Sequence, residues 1–224
     1  MDDEIWFDPL DAIQELGRLS QVEVLFMDAA WQKAYRSRQE WAKFSSEENF
    51  NFSEDQLDDL ERSERLQVEM LNQTYLRAHL VMSYSIFEKG IVSLSSRGFS
   101  YVMREIPPKK GPKSGFDFTR DLLERCDLKK TIHSEDWDKA DALRKIRNVV
   151  AHSASILESP KDKNNFENWK VKFFGISTRP FGSEDSQLNQ IWLEAYLVRY
   201  ASDVFRGVLE FMKNEIESRL NASS

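Results

Sequence analysis

Six consecutive positions, Arg147 to His152, hold a permanent cation, an amide and a titratable base: Arg147, Asn148 and His152. A histidine's ordinary pKa of about 6.5 lets an imidazole take up or release a proton near neutral pH. An arginine stays cationic there, and its planar fork can hold two phosphate oxygens while charge grows on them. Asn148 suits orientation rather than reaction, since an amide offers donors and an acceptor but no titrating proton. The chemistry these types support is proton transfer beside a phosphate whose developing charge the guanidinium stabilises.

Such groups work only if one element carries them at a fixed spacing. The stretch Glu135 to about Ser153 places Trp137, Ala140, Leu143, Ile146, Val149 and Val150 at helical period, with Ser134 as a capping residue. At about 100° per residue from Arg144, Arg147 falls near −60°, Asn148 near 40° and His152 near 80°. Asn148 and His152 form an i, i+4 pair in which the amide is expected to orient the imidazole. Arg147 lies nearer the apolar border and reaches round with its long side chain. A solvated polar face is the competing reading, because amphipathic helices commonly have one.

The rest of the chain is expected to be helical. Only 8 Gly and 6 Pro occur in 224 residues, which suits long helices better than a sheet with frequent turns. A first helix is expected from Pro9 to Phe44. A second begins at Ser53, where Ser53 and Gln56 form a capping box, and carries Leu57, Leu60, Met70, Leu71, Tyr75, Ala78, Met82, Ile86, Phe87, Ile91 and Leu94 towards the core. Pro107, Pro108 and Pro112 make Arg104 to Gly115 a loop, followed by a short helix to Cys126 with Leu122 and Leu123 inward. Lys129 and Lys130 lie in a polar connection. After Ser153 the helical period is lost; Ser159 to Asn168 is a polar run, and the alternation around 169–178 suggests a small β-hairpin. A long helix from Leu188 to Leu220 closes the chain. The fold class is all-α, a bundle with long antiparallel helices in one domain over 1–224, with an N-terminal helical extension.

The formal charge of −7 argues against non-specific coating of nucleic acid, which needs many cations, and leaves room for a local RNA site. The single cysteine, Cys126, excludes an intrachain disulfide and a thiolate cluster within one chain. No apolar run is long enough to cross a bilayer and the opening residues are acidic, so a cytoplasmic protein with no membrane partner is expected.

Arg147-Asn148-x-x-x-His152, on a helix late in a helical domain, resembles the signature of the HEPN superfamily: an arginine and a histidine separated by four to six residues, here four, with an asparagine directly after the arginine in its commonest form. The likeness covers Gln56 to Leu220 in outline, because HEPN domains are similar in setting two long antiparallel helices before the motif helix and another after it. It implies a metal-independent endoribonuclease, possessing no cofactor, whose Arg147 and His152 meet their counterparts from a second subunit. RNA brings its own nucleophile, the 2′-hydroxyl, so the site needs only a base, an acid and a cation. The implied products are a 2′,3′-cyclic phosphate and a 5′-hydroxyl. A toxin or defence role, with an antitoxin or regulatory protein as partner, belongs to the same likeness. A non-catalytic dimeric module that binds nucleotide or protein is the alternative, and a plain helical scaffold the third.

Glu88 and Arg144 are supporting candidates, Glu88 by bracing Arg147 through a charge-assisted hydrogen bond. Lys109, Lys110 and Lys113 in the proline loop are candidates for gathering RNA phosphates, against the plainer reading of solvated surface. His79 and His133 have no partners at metal-ligand spacing, and no metal site is expected. Gly111-Pro112-Lys113-Ser114 lacks the spaced glycine and preceding strand of a phosphate loop.

Overall fold

The computed structural model describes residues 53–111, 114–153, 155–157, 159–181 and 188–222, together with Gln32, Arg36, Gln39, Glu40 and Lys43. Those five isolated residues are helical and exposed; the remainder of the expected first helix, and hence the N-terminal extension, lies outside the described residues. Six helices and one two-stranded antiparallel sheet follow: α1 (Glu54–Met103), α2 (Gly115–Arg125), α3 (Lys129–Ile132), α4 (Glu135–His152), α5 (Pro160–Lys172), β1 (Ile176–Pro180), β2 (Asn189–Leu193) and α6 (Ala195–Asn221). The all-α class with a small hairpin is therefore observed. Among the described residues, no helix is long and apolar enough to cross a membrane.

Helix α1 is the spine, about 75 Å long at 1.5 Å per residue. It starts where the capping box requires: Ser53 Oγ accepts from Gln56 N at 3.3 Å, and Gln56 Oε1 accepts from Ser53 N at 3.0 Å. It ends at Arg104, whose left-handed φ of 55° turns the chain into the proline loop. Its buried stripe is Leu76, Leu80, Tyr84, Phe87, Ile91 and Leu94. The expected stripe is corrected in part: Met70 and Leu71, 66% and 62% exposed, and Ala78 and Met82 face solvent. Apolar residues occupy two sides of α1, and spacing alone does not rank them; the side that α2, α4 and α6 cover wins.

Three departures follow from local chemistry. The polar run after Ser159 is a helix, because Ser159 caps it by accepting from Asp162 N at 3.0 Å and Pro160 occupies its first turn. With only Phe166 and Trp169 buried, α5 shows no apolar period. The hairpin lies later than 169–178, pairing Ile176 with Leu193 and Pro180 with Asn189, so Ile191 and Trp192 belong to a strand and the last helix starts at Ala195. Lys129 and Lys130 begin the one-turn α3, whose free amides at Lys130 and Thr131 donate to Glu215 at 3.0 and 2.9 Å.

The hairpin is fastened to α1 by side chains that imitate a strand edge. Gln73 Nε2 donates to Leu193 O at 2.7 Å while Leu193 N donates to Gln73 Oε1 at 3.0 Å. Arg77 Nη2 donates to Ile191 O at 3.0 Å one turn along. Replacing Gln73 by Ala leaves a buried amide N–H and carbonyl without partners, at roughly 1–3 kcal/mol each when water cannot enter. We expect Gln73→Ala to lower the unfolding free energy by about 2–4 kcal/mol in urea melts, and an unchanged midpoint would show that water replaces both bonds.

His79 sets a second test. Its side chain is 1% exposed, edge-on to Tyr75 at 5.9 Å, and neither ring nitrogen has a hydrogen-bond partner. Burial lowers its pKa, so the folded imidazole stays neutral while the unfolded one protonates below about 6.5. The unfolded state then binds more protons, and stability is lost as pH falls below that value. His79→Leu is expected to flatten the stability–pH curve between pH 6.5 and 5 by up to about 1.4 kcal/mol per pH unit, and an identical slope in both proteins would assign it to other groups.

Candidate functional site

The motif helix α4 is capped by Ser134, whose Oγ accepts from Trp137 N at 3.2 Å, with Glu135, Asp136 and Asp138 in its first turn. Leu143, Ile146, Val149 and Val150 are buried, which turns Arg144, Arg147 and Asn148 towards the rim of the bundle and leaves His152, the last helical residue, exposed. The three motif residues thus share one helix whose register is fixed by its apolar face. Along that helix the rise from Arg147 to His152 is about 7.5 Å.

Arg147 is held from two directions. Its guanidinium lies over the Tyr84 ring, 5.0 Å from the centroid, and Nη1 donates to Asn148 Oδ1 at 3.0 Å. Its Nε is buried with no hydrogen-bond partner. Asn148 therefore positions the arginine, where orientation of His152 was expected; the amide oxygen is drawn to the adjacent cation.

Arg144 is in a different electrical state. Its Nη2 and Nε reach Asp141 Oδ1 at 2.7 and 2.9 Å, and Lys145 Nζ meets Asp141 Oδ2 at 2.7 Å. Burial would raise the Asp141 pKa, but the hydrogen bonds from Lys145 and Arg144 prevail and hold it below the usual carboxylate value. Arg144 also lies over Phe116 at 5.3 Å. Among the described residues no carboxylate pairs with Arg147, so of the two arginines Arg147 is the cation left to meet an anion.

Glu88 does not brace Arg147. It is half-buried, and its Oε1 accepts from Gly115 N at 2.7 Å, satisfying a free amide at the start of α2. Burial, and after it the Glu88 carboxylate, push the Tyr84 phenol well above its usual pKa, with Arg144 and Arg147 opposing. Tyr84 thus stays neutral as the floor beneath Arg147. Spacing around the motif carried no sign of Tyr84, because it lies on α1, 63 positions earlier.

Lys109 and Lys110 are exposed in the loop after α1, and Lys113 lies outside the described residues. Among the described residues no group of three His, Cys, Asp or Glu could hold a metal ion. A cavity of about 460 Å³ lies between α3 and the end of α6, lined by Leu128, Lys130, Phe211 and Glu215 among others, and contains none of the motif residues. Glu215 is engaged in capping α3.

The contact between Glu88 and Gly115 is tight enough to test. A Cβ at Gly115 would lie 2.5 Å from Glu88 Cγ and 2.7 Å from Oε1, so Gly115→Ala must displace the carboxylate from the amide it caps. We expect a loss of about 1–3 kcal/mol in denaturant melts, and full stability would show that Glu88 swings clear without cost. Compared with known proteins, this chain has no match among family models, curated proteins or solved structures.

Proposed function

We propose that the protein is a metal-independent endoribonuclease in which Arg147 and His152 act on the phosphodiester next to a 2′-hydroxyl. The observation that carries this reading is the Arg147 guanidinium, fixed by Tyr84 and Asn148 with no carboxylate among the described residues to neutralise it, on the helix that presents an exposed His152. A cation held without a counter-ion is costly unless an anion visits it. The resemblance of Arg147-Asn148-x-x-x-His152 to the HEPN signature supports the same assignment.

In this mechanism His152 moves a proton, either from the 2′-hydroxyl or to the leaving 5′-oxygen, and Arg147 stabilises charge on the non-bridging oxygens. The 2′-oxygen attacks phosphorus, the bond to the 5′-oxygen breaks, and the products carry a 2′,3′-cyclic phosphate and a 5′-hydroxyl. One helix supplies one imidazole, whereas base and acid stand on opposite sides of the phosphate. We therefore propose that a second copy of the chain completes the site, in a cytoplasmic setting where an antitoxin or regulatory protein restrains it.

The test is cleavage of a mixed RNA pool in EDTA by wild type and by a folded His152→Ala variant, with product ends analysed. Wild type is expected to leave cyclic phosphates, and the variant to be about 10²–10⁴-fold slower. Equal rates in both would reject His152 as the proton-transfer group, and intact RNA with wild type would favour a dimeric module that binds nucleotide or protein.

A further inference from the structure

Helix α5 is an exposed element of net positive charge in a chain of net charge −7. It holds Lys161, Lys163, Lys170 and Lys172 against Asp162 and Glu167. Both acids are engaged locally: Asp162 Oδ2 accepts from Ser159 Oγ at 2.6 Å, and Glu167 pairs with Lys170 at 3.3 Å. Taking Lys161 as zero, Asn165 falls near roughly 40°, Asn168 near −20° and Lys172 near 20°. These four residues form one stripe of cations and amides without an acid, in which Lys161, Asn168 and Lys172 are exposed. Lys172 Nζ donates to the Asp138 carbonyl oxygen at 3.2 Å, and its charge helps to hold the Glu135 carboxyl below its usual pKa, behind the hydrogen bond and charge of Lys139.

That contact also gives the direction of the stripe. The chain leaves α4 at His152, enters α5 at Pro160, and by Lys172 is back beside Asp138, about 21 Å earlier along α4. The stripe therefore leads away from the end of α4 that bears His152. Where it finishes, aromatic rings stand in solvent. Gly175, with φ +84°, turns the chain after α5 and leaves Phe174 79% exposed. Phe174 meets Tyr196, 58% exposed, edge-on at 6.1 Å, and Tyr196 stacks on Tyr200 at 6.3 Å with planes 10° apart.

Lysines that can neutralise phosphates, amides that can hydrogen-bond to bases or sugars, and open ring faces on which bases can stack are the parts of a single-strand binding track. We propose that single-stranded RNA lies along the Lys161–Lys172 face of α5, with a base stacked on Phe174 and Tyr196, on its way to the motif helix. This deepens the nuclease reading and rests on it. Charge complementarity favours RNA over an apolar protein partner, since the stripe carries cations and amides and the apolar rings stand only at its end.

The experiment measures binding of a fluorescent oligouridine to the folded His152→Ala protein, which leaves the strand intact, over a range of salt. Lys161→Gln with Lys172→Gln is expected to weaken binding about tenfold and to flatten the salt slope by about 1.4, the release expected from two phosphate contacts on a single strand. Phe174→Ala is expected to weaken binding about 5- to 100-fold with an unchanged slope. Wild-type affinity in all these variants overturns the track while leaving the cleavage reading intact. Failure of the parent to bind oligouridine at low salt overturns both. Displacement by polyglutamate as effective as by unlabelled RNA overturns RNA as the occupant and assigns the stripe to an acidic protein.

Discussion

Phe87 and Phe205 stack at 4.6 Å with planes 14° apart, and around this pair Tyr84, Phe116 and Trp137 join into one buried aromatic column. The rings come from α1, α2, α4 and α6, so each major helix inserts one or more of them. Each such contact adds about 0.5–1.5 kcal/mol beyond the area it buries, and together they fix the rotation of each helix. The polar side of α4 follows from that rotation. Trp137 anchors the start of the helix against Phe116 at 4.2 Å, and the register then carries Arg144 over Phe116 and Arg147 over Tyr84. The column is therefore both core and floor. Its rings exclude water from beneath the two guanidiniums while their faces attract positive charge.

The two arginines rest on similar rings but differ in what neutralises them. Asp141 lies three residues before Arg144 and four before Lys145, the spacings at which side chains on a helix meet, so it takes up both cations. Arg147 stands a further turn along, where Asn148 offers only an uncharged oxygen. A neutral acceptor fixes direction without cancelling charge, which is what an anion-binding group requires. Glu88 could have cancelled it from α1, but the free amide of Gly115 engages that carboxylate. The unfilled amides of a helix start and the electrostatics of the motif thus share one side chain. A change at Gly115 is thereby linked to the charge around Tyr84.

How much of this could be read from the sequence depends on the range of the interaction. The capping box at Ser53, the cap at Ser134 and the apolar period of α4 act within four residues and were legible, as was the start of the proline loop after Met103. Helix α5 was hidden because its period is polar; its remaining signal was Ser159-Pro160 with Asp162, a cap without a stripe. The exposed side of α1 was misread because two apolar stripes share one helix, and only the partners decide which is covered. The roles of Tyr84, Glu88 and Asn148 were beyond reach for a related reason. Each depends on a contact or competition that spacing does not encode, such as Glu88 meeting an amide 27 positions away.

An acidic surface and a local cationic track are compatible because each acts over a limited range. Beyond a Debye length, about 8 Å at physiological salt, exposed charges are largely screened, so the strand proposed on α5 would respond to the lysines beside it more than to the net charge of −7. The net negative charge then works against loose association of a polyanion with the rest of the surface. What remains favourable is a short contact whose ends are marked, by the rings around Tyr196 at one side and by the turn that leaves α4 at the other. Affinity in such an arrangement comes from few cations, and selectivity from their placement along a helix that returns from the histidine.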